Sequence, residues 1–247
     1  MSKEAHASFA DTRVGLRLEL AGHTIEGCLQ TPASRMELAD VLPLARRLCE
    51  QVASRTSQSA TTRGSSICCR KSCSACCYAM VPVTHAEAQR LSRELKSLPP
   101  ARQRRLGQRI TQAARTLVQA GPCPATDAVG IALWYTQLNL PCPFLENNQC
   151  VAYSWRPLAC REQLAVGPAV PVQGLACPGR QPVDPGVSVL ESLAELESQL
   201  TGQPLKSLPL PMALLAEPTA AVTFDTATVL SRFNEILRSR AAAKWVA

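Results

Sequence analysis

Five of the chain's 12 cysteines lie within ten residues, in the stretch CCRKSCSACC at 68–77. Two pairs are adjacent, and the other spacings are four and three residues. Thiolates packed this closely repel one another unless a cation lies between them, and sulfur is the ligand that soft metal ions prefer. The stretch therefore predicts a metal centre or redox chemistry.

Two conformations of this stretch would bring the thiols together. In a helix each residue turns by about 100°, which places Cys69, Cys73, Cys76 and Cys77 within about a third of the circumference and turns Cys68 away. In a knuckle-type turn, Cys73-x-x-Cys76 is a usual pair of ligands for zinc or iron–sulfur. The sequence allows both.

A second group of cysteines follows in PCPFLENNQCVAYSWRPLACRE at 141–162 and in ACPGR at 176–180. The prolines of the longer segment keep it out of regular structure, as is expected of a chain that wraps a metal site. Eight cysteines are thus candidate ligands: Cys69, Cys73, Cys76, Cys77, Cys142, Cys150, Cys160 and Cys177.

Eight thiolates are enough for one four-iron cluster with cysteines to spare, for two clusters, or for two tetrahedral zinc sites. The chain has three histidines, and none lies among these cysteines. We expect an iron–sulfur cluster, of the [4Fe–4S] type, because the cysteines exceed the needs of one tetrahedral site; zinc is the alternative. The competing interpretation is a set of buried, reduced cysteines that serve as small apolar residues.

The other four cysteines are expected to play different parts. Cys49 lies on the apolar face of a predicted helix and is expected in the core, and Cys28 is expected to be structural at the end of a hairpin. Cys123, in GPCPA, is an extra ligand, a reactive thiol or neither. Cys68 is a possible substitute for Cys69.

Two arginines near the second cysteine group are candidate cofactor-binding residues, Arg156 and Arg161. They can bind a carboxylate or phosphate of a substrate. They can equally donate hydrogen bonds to cluster sulfurs or to backbone carbonyls.

Composition and compartment bear on the cysteines as well. Apolar residues make up 46% of the 247 residues and charged residues 18%, which is typical of a globular protein. No apolar run approaches the roughly 20 residues of a membrane helix, and MSKEAHASFADTR at the start contains no apolar signal region. We therefore expect a cytoplasmic protein without a membrane partner. Thiols are kept reduced in the cytoplasm, so the cysteines are expected to bind metal; in an oxidising compartment they would be expected to form disulfides instead.

The net charge of +7 is concentrated at 89–117, which contains eight basic residues and one acidic residue, Glu94. Such a segment can bind nucleic acid or an acidic partner. No aromatic residue lies among these arginines, so a solvated helix face is favoured and nucleic acid is not expected as a partner.

The expected fold is mainly α, with an irregular cysteine-rich metal-binding centre, flanking helices and a small N-terminal β-hairpin. The hairpin is predicted at 13–29 from the alternation of apolar residues, with a turn near Gly22. A helix through Val52 begins at Ser34 by its capping box, or at Asp40 if Pro43 lies in its first turn, and 54–66 is predicted to be a polar loop.

Further helices follow the cysteine cluster. They are predicted from Thr84, which forms a capping box with Glu87, to Leu98, from Pro100 to Gly121 and over 126–139, before an irregular stretch at 141–185. Two apolar-faced helices, with Val189, Leu193, Leu196 and Leu200 on one and Val229, Phe233, Ile236 and Leu237 on the other, end the chain around a Pro-rich connector at 204–218. The expected segments are 1–60, 61–185 and 186–247, packed as one compact unit.

The cysteine motifs resemble a known family. CRKSCSACC followed by VPVTHAEAQRL, then CPFLENNQCVAYSWRPLACRE, is similar to the zinc- or iron-chelating cysteine-cluster family of YkgJ-like, CxxCxxCC proteins. The resemblance is strong over 69–177, and the flanking elements are similar to a longer bacterial subgroup. It implies that Cys73, Cys76, Cys77, Cys142, Cys150 and Cys160 are ligands, with Cys69 and Cys177 as flanking members. Two departures, a C-x3-C first spacing and Ser72 where glycine is expected, bear on Cys69.

Two functions are expected from these observations. The first is a metal-binding protein whose cluster organises the fold and serves redox chemistry with a protein partner. The second rests on similarity to the flagellin lysine methylases, which implies by analogy an S-adenosylmethionine-dependent lysine N-methyltransferase with a protein substrate. The chain has no Gly-rich nucleotide loop to support the second.

Overall fold

The computed structural model describes residues 12–20, 23–31, 34–65, 67–69, 71, 73–167, 181–204, 207–217 and 222–243. The predicted ligand Cys177 and the predicted turn residue Gly22 lie outside these ranges. Within them the fold is mainly α, as predicted, with short antiparallel strand pairs.

The α-helices of the described residues are α1 (Leu42–Thr62), α2 (His85–Lys96), α3 (Pro100–Gln119), α4 (Ala128–Gln137), α5 (Leu158–Glu162), α6 (Val189–Thr201), α7 (Leu210–Leu215) and α8 (Thr226–Ala243). The strands are β1 (Thr12–Leu20), β2 (His23–Thr31), β3 (Arg35–Glu37), β4 (Pro82–Val83), β5 (Leu145–Glu146), β6 (Gln149–Cys150), β7 (Leu164–Val166), β8 (Gln181–Val183), β9 (Leu208–Pro209) and β10 (Thr223–Asp225). Short 3₁₀ turns span Leu38–Val41, Ala75–Tyr78 and Tyr153–Trp155.

The predicted N-terminal hairpin is confirmed. β1 pairs with β2 in an antiparallel register that sets Leu18 opposite Ile25. Both side chains are buried in a hydrophobic cluster that also contains α1, α6 and α8. This face of the hairpin is therefore apolar because helices cover it.

The predicted start of the first helix at Ser34 is wrong, whereas the alternative, Asp40, lies two residues before α1, in the 3₁₀ turn that leads into it. Residues 35–37 form β3, which pairs with β10, and a 3₁₀ turn precedes α1. The capping box is formed by Glu37 and Asp40 rather than by Ser34 and Glu37. Pro43 lies in the first turn of α1, where its missing N–H leaves no hydrogen bond unmade.

The predicted polar loop at 54–66 is also wrong, because α1 continues to Thr62. The hydroxyls of Thr56, Thr61 and Thr62 donate to carbonyls four residues earlier, so the polar side chains are satisfied within the helix. Ala60 is buried and anchors the last turns. The helix ends before Gly64, whose φ of 77° lies in the left-handed region that glycine adopts readily.

The remaining predicted helices lie where they were predicted, and there are two additions, α5 within the predicted irregular stretch and α7. The Thr84 hydroxyl accepts a hydrogen bond from the Glu87 N–H at 3.2 Å, which confirms the N-cap of α2. Ser188 caps α6 in the same way, and the predicted apolar faces of α6 and α8 are buried or pack against the core. The Pro-rich connector contains a short helix, α7, that the sequence analysis did not predict.

Two hydrophobic clusters meet at α5. The first contains the hairpin, α1, α6 and α8, and the second contains α2, α3, α7 and the segment around Phe144. Leu158 of α5 belongs to the first cluster, whereas Ala159 and Cys160 pack against the second. The helix that carries Cys160 is therefore held between two cores. Among the described residues, none of the helices combines the length and apolar character needed to cross a membrane.

Candidate metal centre

Seven of the eight predicted ligands line a single cavity of about 520 Å³. They are Cys69, Cys73, Cys76, Cys77, Cys142, Cys150 and Cys160. The four cysteines that were assigned other parts do not line it: Cys49 is buried in the first core, Cys28 is exposed on β2, Cys123 is half-buried in its loop, and Cys68 is buried. The structure thus brings together cysteines that are as many as 91 positions apart in the sequence.

The first cysteine segment is a turn, and the helical alternative for 69–77 is wrong. A 3₁₀ turn carries Cys76 and Cys77, whereas Cys69 and Cys73 precede it in irregular chain. The reason is non-local. The Cys68 N–H donates to the Ala165 carbonyl at 2.9 Å, and Ile67 forms a β-bridge with Val166, so this part of the chain is extended beside β7.

A tight hairpin positions the second segment. β5 and β6 are joined by Asn147 and Asn148, both with positive φ (49° and 60°), as in the two-residue turns that suit β-hairpins. Asparagine tolerates this conformation well, so the ENNQ sequence contained a signal for the hairpin that was missed. Cys150 lies on β6, and the Cys142 N–H donates to the Cys77 carbonyl at 2.7 Å, which joins the two segments.

The thiols are close enough to affect one another's ionisation. Burial raises the pKa of Cys142 to about 12, and burial also raises the pKa values of Cys150 and Cys160. A charge on Cys76 raises all three further. For Cys77, the hydrogen bond with Cys76 is the largest cause of a raised pKa, followed by burial. Cys76 is therefore a common neighbour of the other thiols.

The chemistry of the lining suits a thiophilic metal. Among the described residues of the cavity wall, the Cys, His, Asp and Glu side chains are all cysteines, so the donor atom they offer is sulfur. Zinc and iron–sulfur clusters both bind thiolates, so binding must release the protons that the raised pKa values retain. In the described residues, no three or more Cys, His, Asp or Glu side chains form a group that could hold a metal ion as they lie. The sulfurs line a cavity rather than converge on one point.

Arg161 stabilises the backbone next to the cavity. Its Nε donates to the Arg156 carbonyl at 3.0 Å, one terminal nitrogen donates to the Ser154 carbonyl at 2.7 Å, and the other pairs with Glu50. Its side chain is 3% exposed. These contacts agree with one of the roles expected from the sequence, in which the arginine donates hydrogen bonds to backbone carbonyls. They hold the chain between Cys150 and Cys160.

Arg156 makes different contacts. Its guanidinium carbon lies 4.4 Å from the centre of the Tyr153 ring, and both side chains line the cavity. Its positive charge lowers the pKa of Cys150, against the larger effect of burial. The positive charge of Arg156 therefore lies where it can interact with the thiols of the cavity.

Two carboxylates near the cysteines, one buried and one half-buried, join elements of the fold through contacts that local sequence patterns do not reveal. Glu87 is fully buried, and its Oε1 accepts a hydrogen bond from the Leu158 N–H, at the start of α5, at 2.7 Å. Glu162 accepts from the Ser188 hydroxyl and the Leu190 N–H, each at 2.9 Å, and so joins α5 to α6. Glu87 was read as half of a capping box, and only the tertiary contact reveals its other partner.

Glu87 is expected to make stability fall as pH rises. Burial is the main cause that raises its pKa from an ordinary value of 4.5 to about 7. A raised pKa means that the folded chain holds the proton more tightly, so the stabilisation is complete below about pH 4.5 and lost above about pH 7. We expect the free energy of unfolding to lose about 2–3 kcal/mol from this group between about pH 5 and about pH 8.

Urea unfolding of the wild type and of Glu87→Gln across this pH range measures the effect. Glutamine does not titrate, so the difference between the two proteins should change with pH by that amount. Glu235→Gln, at an exposed position on α8, is the matched control and should show no such change. A parallel pH dependence of wild type and Glu87→Gln would contradict the prediction.

Comparison with protein families adds an independent observation. Residues 68–178 match the model of the CxxCxxCC family, described as a "putative zinc- or iron-chelating domain". The matched segment contains all eight predicted ligands, and the match confirms the resemblance seen in the motifs. No curated protein and no solved structure matches the chain.

Proposed function

We propose that the cavity cysteines bind an iron–sulfur cluster that organises the centre of the fold and serves redox chemistry, since residues 68–178 match the model of a family of zinc- or iron-chelating domains. The observation that carries the proposal is the set of seven thiols, from three parts of the chain, around one cavity. Zinc bound by the same cysteines is the alternative.

The number of thiols favours iron–sulfur over zinc. A structural zinc ion takes four ligands, and the cavity offers seven cysteines without any histidine. Four of them suffice for a [4Fe–4S] cluster, and the others can bind further iron or surround the sulfides. When bound, such a cluster supplies one-electron transfer, for which the chain would need a redox partner. A reducing compartment such as the cytoplasm would keep the thiols available.

Anaerobic purification of the full chain, followed by a visible spectrum and analysis for iron, sulfide and zinc, tests the proposal. Thiolate-to-iron charge transfer makes an iron–sulfur protein brown, so we expect broad visible absorption with iron and sulfide in similar amounts. A colourless protein that contains one or two zinc ions would overturn the iron–sulfur proposal and leave a structural zinc site.

A second candidate is a cluster-dependent enzyme, such as an S-adenosylmethionine-dependent lysine N-methyltransferase. It is favoured by the size of the cavity, since about 520 Å³ lies within the usual range for small-molecule sites. Equilibrium dialysis of the metal-loaded protein against S-adenosylmethionine tests it. Binding that an excess of S-adenosylhomocysteine displaces would support this candidate, and absence of binding would count against it.

A further inference from the structure

Two cations lie around one aromatic ring on the wall of the cysteine cavity. The Lys71 Nζ is 5.8 Å from the centre of the Tyr153 ring, and the Arg156 guanidinium carbon is 4.4 Å from it. Both distances are within the range at which a cation is attracted to an aromatic face. All three side chains line the cavity.

Neither cation has an anionic partner among the described residues. The salt bridges formed by other arginines of the described chain do not include Lys71 or Arg156. In addition, the Arg156 Nε is buried without a hydrogen-bond acceptor among the described residues. A buried donor is stabilised by an acceptor, so an oxygen atom placed beside Arg156 would be favourable. In Arg161, by contrast, each of the three guanidinium nitrogens donates a hydrogen bond to an acceptor.

We propose that Lys71, Tyr153 and Arg156 form a subsite for the oxyanion group of a small organic ligand that enters the cavity beside the cysteines. The planar guanidinium suits the two oxygens of a carboxylate or phosphate, and the lysine adds a second, mobile charge. The Tyr153 ring holds the guanidinium in place. The inference rests on the proposed function in one respect: the ligand would share the cavity with the metal centre.

The rest of the wall fits the body of such a ligand. Ile67, Val81, Phe144 and Leu164 also line the cavity and supply apolar surface. Small-molecule sites commonly combine an apolar lining with a few polar groups that fix orientation. The oxyanion would therefore anchor one end of the ligand, and its remainder would lie toward the apolar wall and the thiols.

Arg156 has a competing role, because its charge can offset that of the thiolates. The two roles differ in what the loss of Arg156 would change. A counter-ion of the thiolates affects the amount of metal bound. An anion-binding residue affects ligand affinity at unchanged metal content.

Isothermal titration calorimetry of the metal-loaded full chain distinguishes the roles. The probes are citrate, acetate and inorganic phosphate as potassium salts, against potassium chloride at equal ionic strength. We expect at least one probe to bind the wild type, with citrate or acetate indicating a carboxylate ligand and phosphate a phosphorylated one. Arg156→Gln should weaken that binding by roughly 10- to 100-fold, as expected for a lost charged hydrogen bond.

Two further variants complete the experiment. Lys71→Gln, at an exposed residue, should also weaken the binding. Arg102→Gln removes the same charge from an exposed position on α3 and should leave binding unchanged. Iron, sulfide and zinc are measured in every sample.

Three results would overturn the inference. The first is that no probe binds the wild type more tightly than chloride. The second is equal weakening by Arg102→Gln, which would indicate a general charge effect. The third is a loss of metal from Arg156→Gln that accounts for the lost binding. Absence of iron–sulfur from a protein that still binds the probe through Arg156 would overturn the proposed cluster and leave the subsite standing.

Discussion

Replacing Cys76 with serine is expected to lower the bound metal by at least about tenfold. The charge of Cys76 raises the pKa values of Cys142, Cys150 and Cys160, so its thiol lies close to all three. Serine has nearly the same shape, but its hydroxyl is a hard, weakly acidic donor that soft metals bind poorly. Elemental analysis and the visible spectrum of the purified variant measure the loss.

The matched control for this change is Cys123→Ser. Cys123 is half-buried in a loop and does not line the cavity, so its replacement should leave the metal content unchanged. The same comparison tests whether Cys123 is an extra ligand, which the sequence left open. Full metal content in Cys76→Ser would show that the centre does not depend on this cysteine and would contradict the proposed ligand set.

Replacing Arg161 with methionine is expected to destabilise the protein by about 2–5 kcal/mol. Methionine fills a similar space but leaves the carbonyls of Ser154 and Arg156 without their donor. These carbonyls lie in the chain between Cys150 and Cys160, so the variant should also bind less metal. Urea unfolding, with the metal content measured on the same samples, gives both quantities.

Glu50→Gln provides the control for the ion pair of Arg161. The Glu50 side chain is 62% exposed, so the loss of its charge should cost less than about 1 kcal/mol. The expected difference between the two variants thus separates the carbonyl contacts from the salt bridge. Equal stability of Arg161→Met and Glu50→Gln would mean that the carbonyl contacts contribute nothing measurable.

Some features of the fold could be predicted because they depend on neighbours in the sequence. The alternation at 13–29 indicated the hairpin, and Thr84 indicated the start of α2, since both signals act within a few residues. The error at the C-terminal end of α1 also has a local cause. The Ser- and Thr-rich end of α1 was taken for a loop, because its hydroxyls bond back to the helix in a way that composition does not reveal.

Other errors came from contacts between distant segments. The described residues of 69–77 do not form an α-helix, because Ile67 and Cys68, immediately before them, lie along β7, almost 100 positions away. Glu87 appeared to be a capping residue, but its carboxylate accepts from Leu158 of α5. No local pattern identifies a partner 71 positions distant.

The number, type and spacing of the cysteines and the near absence of histidine indicate a thiophilic metal from the amino-acid sequence alone, because ligand preference depends on the donor atom. The match of residues 68–178 to the CxxCxxCC model likewise depends on the sequence alone. The three-dimensional structure was needed to show which cysteines share a cavity, that Arg161 supports the backbone, and that Arg156 and Lys71 lie beside Tyr153 on the cavity wall. These assignments depend on the direction of each side chain, which packing between distant segments sets.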